Sequence, residues 1–269
     1  MNQHLFRIIV LCLGFTTGLL AQTPTFDMQT LPDSVSSLDF GFRKLLFDEN
    51  QVDQSALSGT YLLRYKHVFG DKFNGIASMN YNDFAVDGFE SNGIGNIYLG
   101  AQYKLTSNND RASSLDFGLY LPTANEEAVI GAYSNITDFN AYFDIDFGLS
   151  ASYRAFSNTA NGLRYSYEVG INYFKSDQSF GADDSELYAN YGLSLGYNFS
   201  EWYVNLEALG ILILTEDDGF GDNSVHSLAG GFGYTGGRVI PSVFYKLYID
   251  DDISELVNGV IGLNLMYRI

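Results

Sequence analysis

The chain has one cysteine, four prolines and three histidines in 269 residues. A lone thiol excludes an intramolecular disulfide framework, and with so few histidines a closed zinc site is a poor reading. Basic residues are scarce. Lys and Arg number 14 against 32 Asp and Glu, and the net charge of -18 repels the phosphates that a nucleic-acid binder has to neutralise. Long hydrophobic runs are missing too. The N-terminal one, Ile8 to Leu20, is broken by Gly14, Thr16, Thr17 and Gly18 and falls short of the roughly 20 residues of a helical span. What the sequence has in quantity is glycine (28), tyrosine (20) and phenylalanine (21), a strand-building composition.

Arg7, the apolar run that follows it and the small residue Ala21 form the pattern of an export signal. Residues 1–21 are therefore expected to be a signal peptide, 22–35 a short periplasmic segment and 36–269 a single domain. Cys12 leaves with the signal. Beyond it the surviving periodicity is two. In the segment 139–156, Phe139, Ala141, Phe143, Ile145, Phe147, Leu149, Ala151 and Tyr153 alternate with Asn140, Tyr142, Asp144, Asp146, Ser150, Ser152 and Arg154. One face suits hydrocarbon and the other water. The same alternation predicts strands at 36–47, 57–69, 73–82, 93–105, 112–121, 139–156, 163–174, 186–199, 202–214, 224–234, 239–249 and 257–269.

The connections alternate as well. Short turns at 70–72, 106–111, 157–162, 200–201 and 235–238 are separated by longer, acidic connections at 48–56, 83–92, 122–138, 175–185, 215–223 and 250–256. That arrangement predicts an all-β fold, a transmembrane up-and-down antiparallel barrel of about 12 strands with periplasmic turns and outside loops. A secreted β-sandwich also alternates, but its outer face carries Lys, Thr and Glu rather than Tyr, Phe and Leu. Tyr61, Tyr103, Tyr173, Tyr188 and Tyr234 fall near strand ends, where interfacial girdles are expected. The last strand alternates as barrel-insertion signals do, with Ile269 where an aromatic residue is usual.

Twelve strands about 4.8 Å apart and tilted by about 40° give a backbone diameter of roughly 24 Å, wide enough for a narrow pore or a ligand-sized cavity. Candidate selectivity residues on the inward face are Arg64, Lys66, Lys104, Arg154 and Arg164 against Asp116, Asp144, Asp146, Glu168 and Glu207. Arg43, Lys246, Arg268 and Asp39 share that face. They either brace the interior or select solutes by charge. Tyr98, Tyr120 and Tyr142 offer stacking faces to an aromatic solute. Asp217, Asp218 and Asp222 are weak candidates for a divalent cation, because their loop lacks the spacing of a calcium site; no metal or cofactor is expected.

His226 with Ser224 and Ser227 resembles the His and Ser pairing of an outer-membrane phospholipase, and with Asp217 and Asp218 the acidic and His groups of omptin proteases. The surrounding patterns of both are missing, so no enzymatic activity is expected. Gly93-Ile94-Gly95-Asn96-Ile97-Tyr98-Leu99-Gly100-Ala101-Gln102-Tyr103-Lys104, followed by Leu119-Tyr120-Leu121-Pro122-Thr123-Ala124, resembles the putative meta-pathway phenol-degradation transporter family, with Ala124 in place of a glycine. The resemblance implies uptake of small hydrophobic or aromatic compounds. The expectation is a monomeric channel in the outer membrane of a Gram-negative bacterium, meeting lipid and lipopolysaccharide outside and a small-molecule solute inside. Its rival is a structural or surface-interaction barrel with a plugged lumen.

Overall fold

The computed structural model describes residues 35–47, 55–86, 89–108, 110–176, 185–215 and 224–269. The expected signal peptide, residues 22–34 and the cation candidates Asp217, Asp218 and Asp222 lie outside them. The strands are β1 (Ser37–Leu46), β2 (Gly59–Val68), β3 (Phe73–Val86), β4 (Phe89–Ile94), β5 (Ile97–Ser107), β6 (Arg111–Leu121), β7 (Phe147–Asn158), β8 (Leu163–Lys175), β9 (Ser185–Phe199), β10 (Trp202–Ile213), β11 (Ser224–Tyr234), β12 (Val239–Tyr248) and β13 (Gly259–Arg268). All pairings are antiparallel. β1 pairs with both β2 and β13, so the sheet closes and has no edge, which a β-structure in hydrocarbon requires.

Two segments share one wall position. β4 pairs with the outer half of β3, from Tyr81 to Val86, and β5 with its periplasmic half, from Phe73 to Ser78. They are a single wall strand broken at Gly95 and Asn96, and the barrel has 12 wall strands. The break corrects the continuous strand expected at 93–105, and the loop expected at 83–92 is the tip of a long hairpin formed by β3 and β4. Its cause lies inside the barrel: Asn96 N–H donates to Ala141 O at 2.8 Å, and a side chain at Gly95 would overlap that same carbonyl.

Along β8, Leu163, Tyr165, Tyr167, Val169 and Ile171 point outward and are exposed, while Arg164, Ser166, Glu168 and Asn172 point inward and are buried. With period two, only a medium that rewards apolar contact accounts for such an outer face. Near the periplasmic end Trp202 meets Tyr234 and Phe73 meets Tyr103, each with ring centroids 5.1 Å apart. Tyr188 departs from the expected girdle and points into the lumen, where it is buried. On the inward face, rings lie across wall glycines. Tyr98 occupies the space a Cβ on Gly100 or Gly118 would need, and the Phe244 ring that of Gly262. Glycine lets aromatic rings lie flat against the wall and leaves the centre for other residues.

Leu206, 66% exposed near the middle of β10, gives a direct test of the outward face. Leu206→Arg is expected to cost about 2–4 kcal/mol in refolding into lipid vesicles, read as a shift of the urea midpoint. An unchanged midpoint would argue that this face does not touch lipid.

The strand expected at 139–156 begins instead at Phe147. Residues Glu126–Ser134 and Ile136–Ala141 form two 3₁₀ segments, and the connection that carries them folds inward. Its apolar residues alternate as a wall strand's do. Phe139, Tyr142 and Ile145 nonetheless pack their rings and aliphatic carbons against the lumen lining.

Candidate functional site

The site is the lumen, and it has two layers. In the outer layer the inward loop, residues 122–146, is held between opposite walls. Its first 3₁₀ segment packs on β1 to β4 and its second on β8 and β10. Tyr142, Ala132, Ala141 and Ile145 join Ile76, Tyr98, Tyr120, Phe174, Tyr188 and Ile211 in one apolar cluster. On the other side, Ile130, Tyr133 and Phe139 pack against Leu45, Phe84, Tyr248, Val257 and Val260.

Hydrogen bonds fasten both ends of the loop to one wall residue. Asn96 Oδ1 accepts from Thr123 N and Ala124 N, both at 2.9 Å, where the loop departs. Asn96 Nδ2 donates to Asn140 O at 2.7 Å and Phe143 O at 2.6 Å, where it returns. Thr123 Oγ1 also donates to Gly95 O at 2.9 Å. The two stretches that carry the family resemblance are thus joined to each other as the dock of the loop. Elsewhere Asn82 Nδ2 donates to Ala128 O at 3.1 Å, Ser91 Oγ to Glu127 O at 2.6 Å, Lys246 Nζ to Ser134 O at 2.5 Å and Tyr248 OH to Tyr133 O. Tyr120 OH donates to Asp138 Oδ1 at 2.5 Å. Burial pushes the Asp138 carboxyl up to about 6, and the Tyr120 hydroxyl, Arg64 and Arg43 only partly offset it; Glu168 adds to the rise.

The periplasmic layer is polar. Arg154 meets Asp116 at 3.3 Å and Glu168 at 3.0 Å, bringing together three candidate residues from β6, β7 and β8. Asn190 donates to Glu168 at 2.8 Å and Asn172 to Asn190 at 2.8 Å, and Asn74 donates to Gln102 at 2.7 Å, so the belt runs on across neighbouring strands. Arg164 lies over the rings of Phe156 and Tyr203, 5.6 and 5.5 Å from their centroids. Glu207 accepts from Asn205 at 2.7 Å. Arg64 sits opposite Asp39 across the β1 and β2 register. Lys66 and Lys104 lie toward the periplasmic end, and Lys104 Nζ donates to Gly70 O at 3.2 Å.

Asp144 and Asp146 do not lie on a wall strand. Asp144 is in the returning arm of the loop, where its carbonyl accepts from Ser176 Oγ at 2.7 Å. Asp146 stands at the exposed outer rim, 3.7 Å from Lys175. Both follow from the later start of β7. His226 faces outward with Tyr191 OH at 2.6 Å and Asp250 Oδ1 at 3.0 Å, whereas Ser227 faces the lumen, so these two are on opposite sides of the wall. Among the described residues no three His, Cys, Asp or Glu side chains are grouped to hold a metal ion.

Sequence reasoning missed the roles of Asn96 and Asp138. Asn96 stood in the Gly-x-Gly stretch among the inward amides able to hydrogen-bond a polar solute, with no docking role, and Asp138 passed as one more acid of an outside loop. A polar residue directly after a glycine, in a strand that otherwise alternates cleanly, was the available signal for a break.

A closed barrel with polar lumen and apolar exterior is an architecture with solved counterparts. The fold is that of bacterial outer-membrane channels and porins. An outer membrane channel from Pseudomonas putida F1 superposes with a TM-score of 0.63 at 12% identity, covering 92% of this chain and 100% of that one. The NanC porin gives 0.57 at 6% identity over 87% of this chain and 100% of that one, and the KdgM porin 0.52 at 11% over 86% and 98%. At these identities the likeness concerns the fold. No protein-family model and no curated protein sequence matches the chain.

Proposed function

We propose that the chain is an outer-membrane channel through which small molecules diffuse, with the inward loop as its constriction. The observation that carries this reading is the source of the occlusion. The wall keeps small residues at inward positions such as Gly41, Gly118, Gly196 and Gly262, and the outer lumen is filled by a loop that is hydrogen-bonded to the wall but not part of it. A barrel with only a bracing role fills its lumen from its own strands. The porin and channel architecture supports the same reading. So does the aromatic layer of Tyr98, Tyr120, Tyr142 and Phe174, which suits a small hydrophobic or aromatic solute of the kind the family resemblance implies.

In this reading Arg64, Lys66, Lys104, Asp116, Arg154, Arg164, Glu168 and Glu207 set selectivity from the lumen wall. Asp144 and Asp146 act only at the loop and rim. The protein is exported, loses residues 1–21 and works as a monomer in a Gram-negative outer membrane, without cofactor or enzymatic step. The rival reading, a plugged structural or surface-interaction barrel, draws on the many bonds that hold the loop. Planar-bilayer recording of refolded protein separates the two. Discrete openings are expected; a folded but silent barrel would favour the rival.

A further inference from the structure

The outward face is not evenly filled. A hollow of about 180 Å³ opens on it toward the bilayer, walled by Leu38 of β1, Leu63 and Tyr65 of β2, Ala77 and Met79 of β3 and Ile97 of β5. Two features make it. Ala77 is the small residue of its row, with Tyr65 opposite it on β2 and Leu99 opposite it on β5. Next to it the ladder of β3 ends with β5 at Ser78 and resumes with β4 at Tyr81, so the break that docks the inward loop on the inside coincides with a recess on the outside.

The height of the hollow on the wall decides which leaflet it meets. Ala77 is four residues from the start of β3; at about 3.4 Å per residue and a tilt of about 40° it stands roughly 10 Å above the periplasmic end. Half of a roughly 30 Å hydrocarbon core is about 15 Å, so the hollow faces the acyl chains of the periplasmic leaflet. Between it and the periplasm stands His67, exposed on the same face and two residues beyond Tyr65. Tyr65 OH lies 3.0 Å from His67 Nδ1. A hydroxyl proton donated to Nδ1 puts the ring's own proton on Nε2, and a protonated ring carries one there as well. Phe69 supports the imidazole edge-on, with ring centroids 4.6 Å apart. The turn that follows carries Asp71 and Lys72, one charge of each sign.

We propose that this hollow binds one phospholipid of the periplasmic leaflet, with an acyl chain lying in it and the phosphate accepting from His67 Nε2 at the interface. The inference goes beyond the channel reading and does not depend on it. The hollow is continuous with the face that meets hydrocarbon. An apolar cavity of about 150 Å³ already takes up a benzene-sized body, so this one has room for a stretch of chain. A chain that leaves one hydrocarbon environment for another gains nothing from the hydrophobic effect. It gains close packing against Leu38, Leu63, Met79 and Ile97, where a flat wall offers contacts on one side only, together with a donor for its phosphate. With charges of both signs on the turn, the site reads the phosphate rather than the net charge of the headgroup.

The test is native mass spectrometry of full-length refolded protein released from detergent micelles that contain phosphatidylethanolamine and phosphatidylglycerol. Wild type is expected to keep one phospholipid per chain, of either headgroup, at collision energies that strip the detergent. Ala77→Phe, which fills the hollow, and His67→Ala, which removes the donor, are each expected to lower the retained fraction several-fold. Ala208→Phe, on the outward face of β10 across the barrel, is expected to leave it unchanged. Should Ala77→Phe not fold, Ala77→Leu is expected to act in the same direction by less. A wild-type chain that emerges bare or holding only detergent overturns the site. So does a chain dimer that Ala77→Phe disrupts, which would make a second copy the occupant, or a variant at Ala77 or His67 that folds and keeps phospholipid as wild type does.

Discussion

Replacing residues 123–145 by a short Gly-Ser turn is expected to raise single-channel conductance several-fold without loss of the folded barrel. Tyr120 and Gly148 are already paired across β6 and β7, so a tight turn joins these strands without distorting the wall. The loop fills the outer lumen between β1 to β4 on one side and β8 to β10 on the other, and the passage beneath it is a polar belt on a wall about 24 Å across at the backbone. Asn96→Ala distinguishes constriction from gate. It strips partners from Thr123 N, Ala124 N, Asn140 O and Phe143 O at once, and each buried group left unsatisfied costs about 1–3 kcal/mol. Longer openings at full conductance are expected from the point variant, and a larger conductance from the excision. An excised barrel that folds and conducts like wild type would show that the loop does not limit passage.

Acid is expected to favour the closed loop. Docked Asp138 has its carboxyl raised from the ordinary 3.8 to about 6 by burial, which outweighs the Tyr120 hydrogen bond and the attraction of Arg64 and Arg43. Released into water, it titrates near the ordinary value. The docked loop therefore binds more protons between these two values. The stabilisation it gains from protonation is complete below 3.8 and is lost as pH rises through about 6. Open probability is thus expected to fall as pH is lowered through about 6. Asp138→Asn, neutral at every pH and close in shape, is expected to keep the channel mostly closed at pH 7 and to flatten the pH response. The groups that face this carboxyl come from six wall strands: Arg43 of β1, Arg64 of β2, Tyr98 of β5, Tyr120 of β6, Glu168 of β8 and Tyr188 of β9. An acid response that survives in Asp138→Asn would move the effect to another group.

The wall was legible in the sequence because hydrocarbon imposes a rule on every second residue. Leu163, Tyr165, Tyr167, Val169 and Ile171 have no reason to alternate with Arg164, Ser166, Glu168 and Asn172 unless two media lie on the two sides. The inward loop was not legible, because Phe139, Ala141, Phe143 and Ile145 obey the same alternation for a different reason, facing a core of rings enclosed within the barrel. The positions of Arg154, Asp116 and Glu168 followed from the cost of a charge facing lipid, but their mutual contact depends on register, which alternation does not specify. Asn96 was visible as a residue and invisible as a dock, since its four partners lie between 27 and 47 positions away along the chain.

The loop's seat has a consequence for assembly. It leaves the middle of the chain, yet its partners include Leu45 near the first strand, Lys246 and Tyr248 on the penultimate one and Val260 on the last. These surfaces stand together only once β1 and β13 have met and the seam between them has zipped. Complete seating is therefore a late step of biogenesis that registers completion of the cylinder, and an unsealed intermediate holds the segment at Asn96 without the surface that β1, β12 and β13 build together.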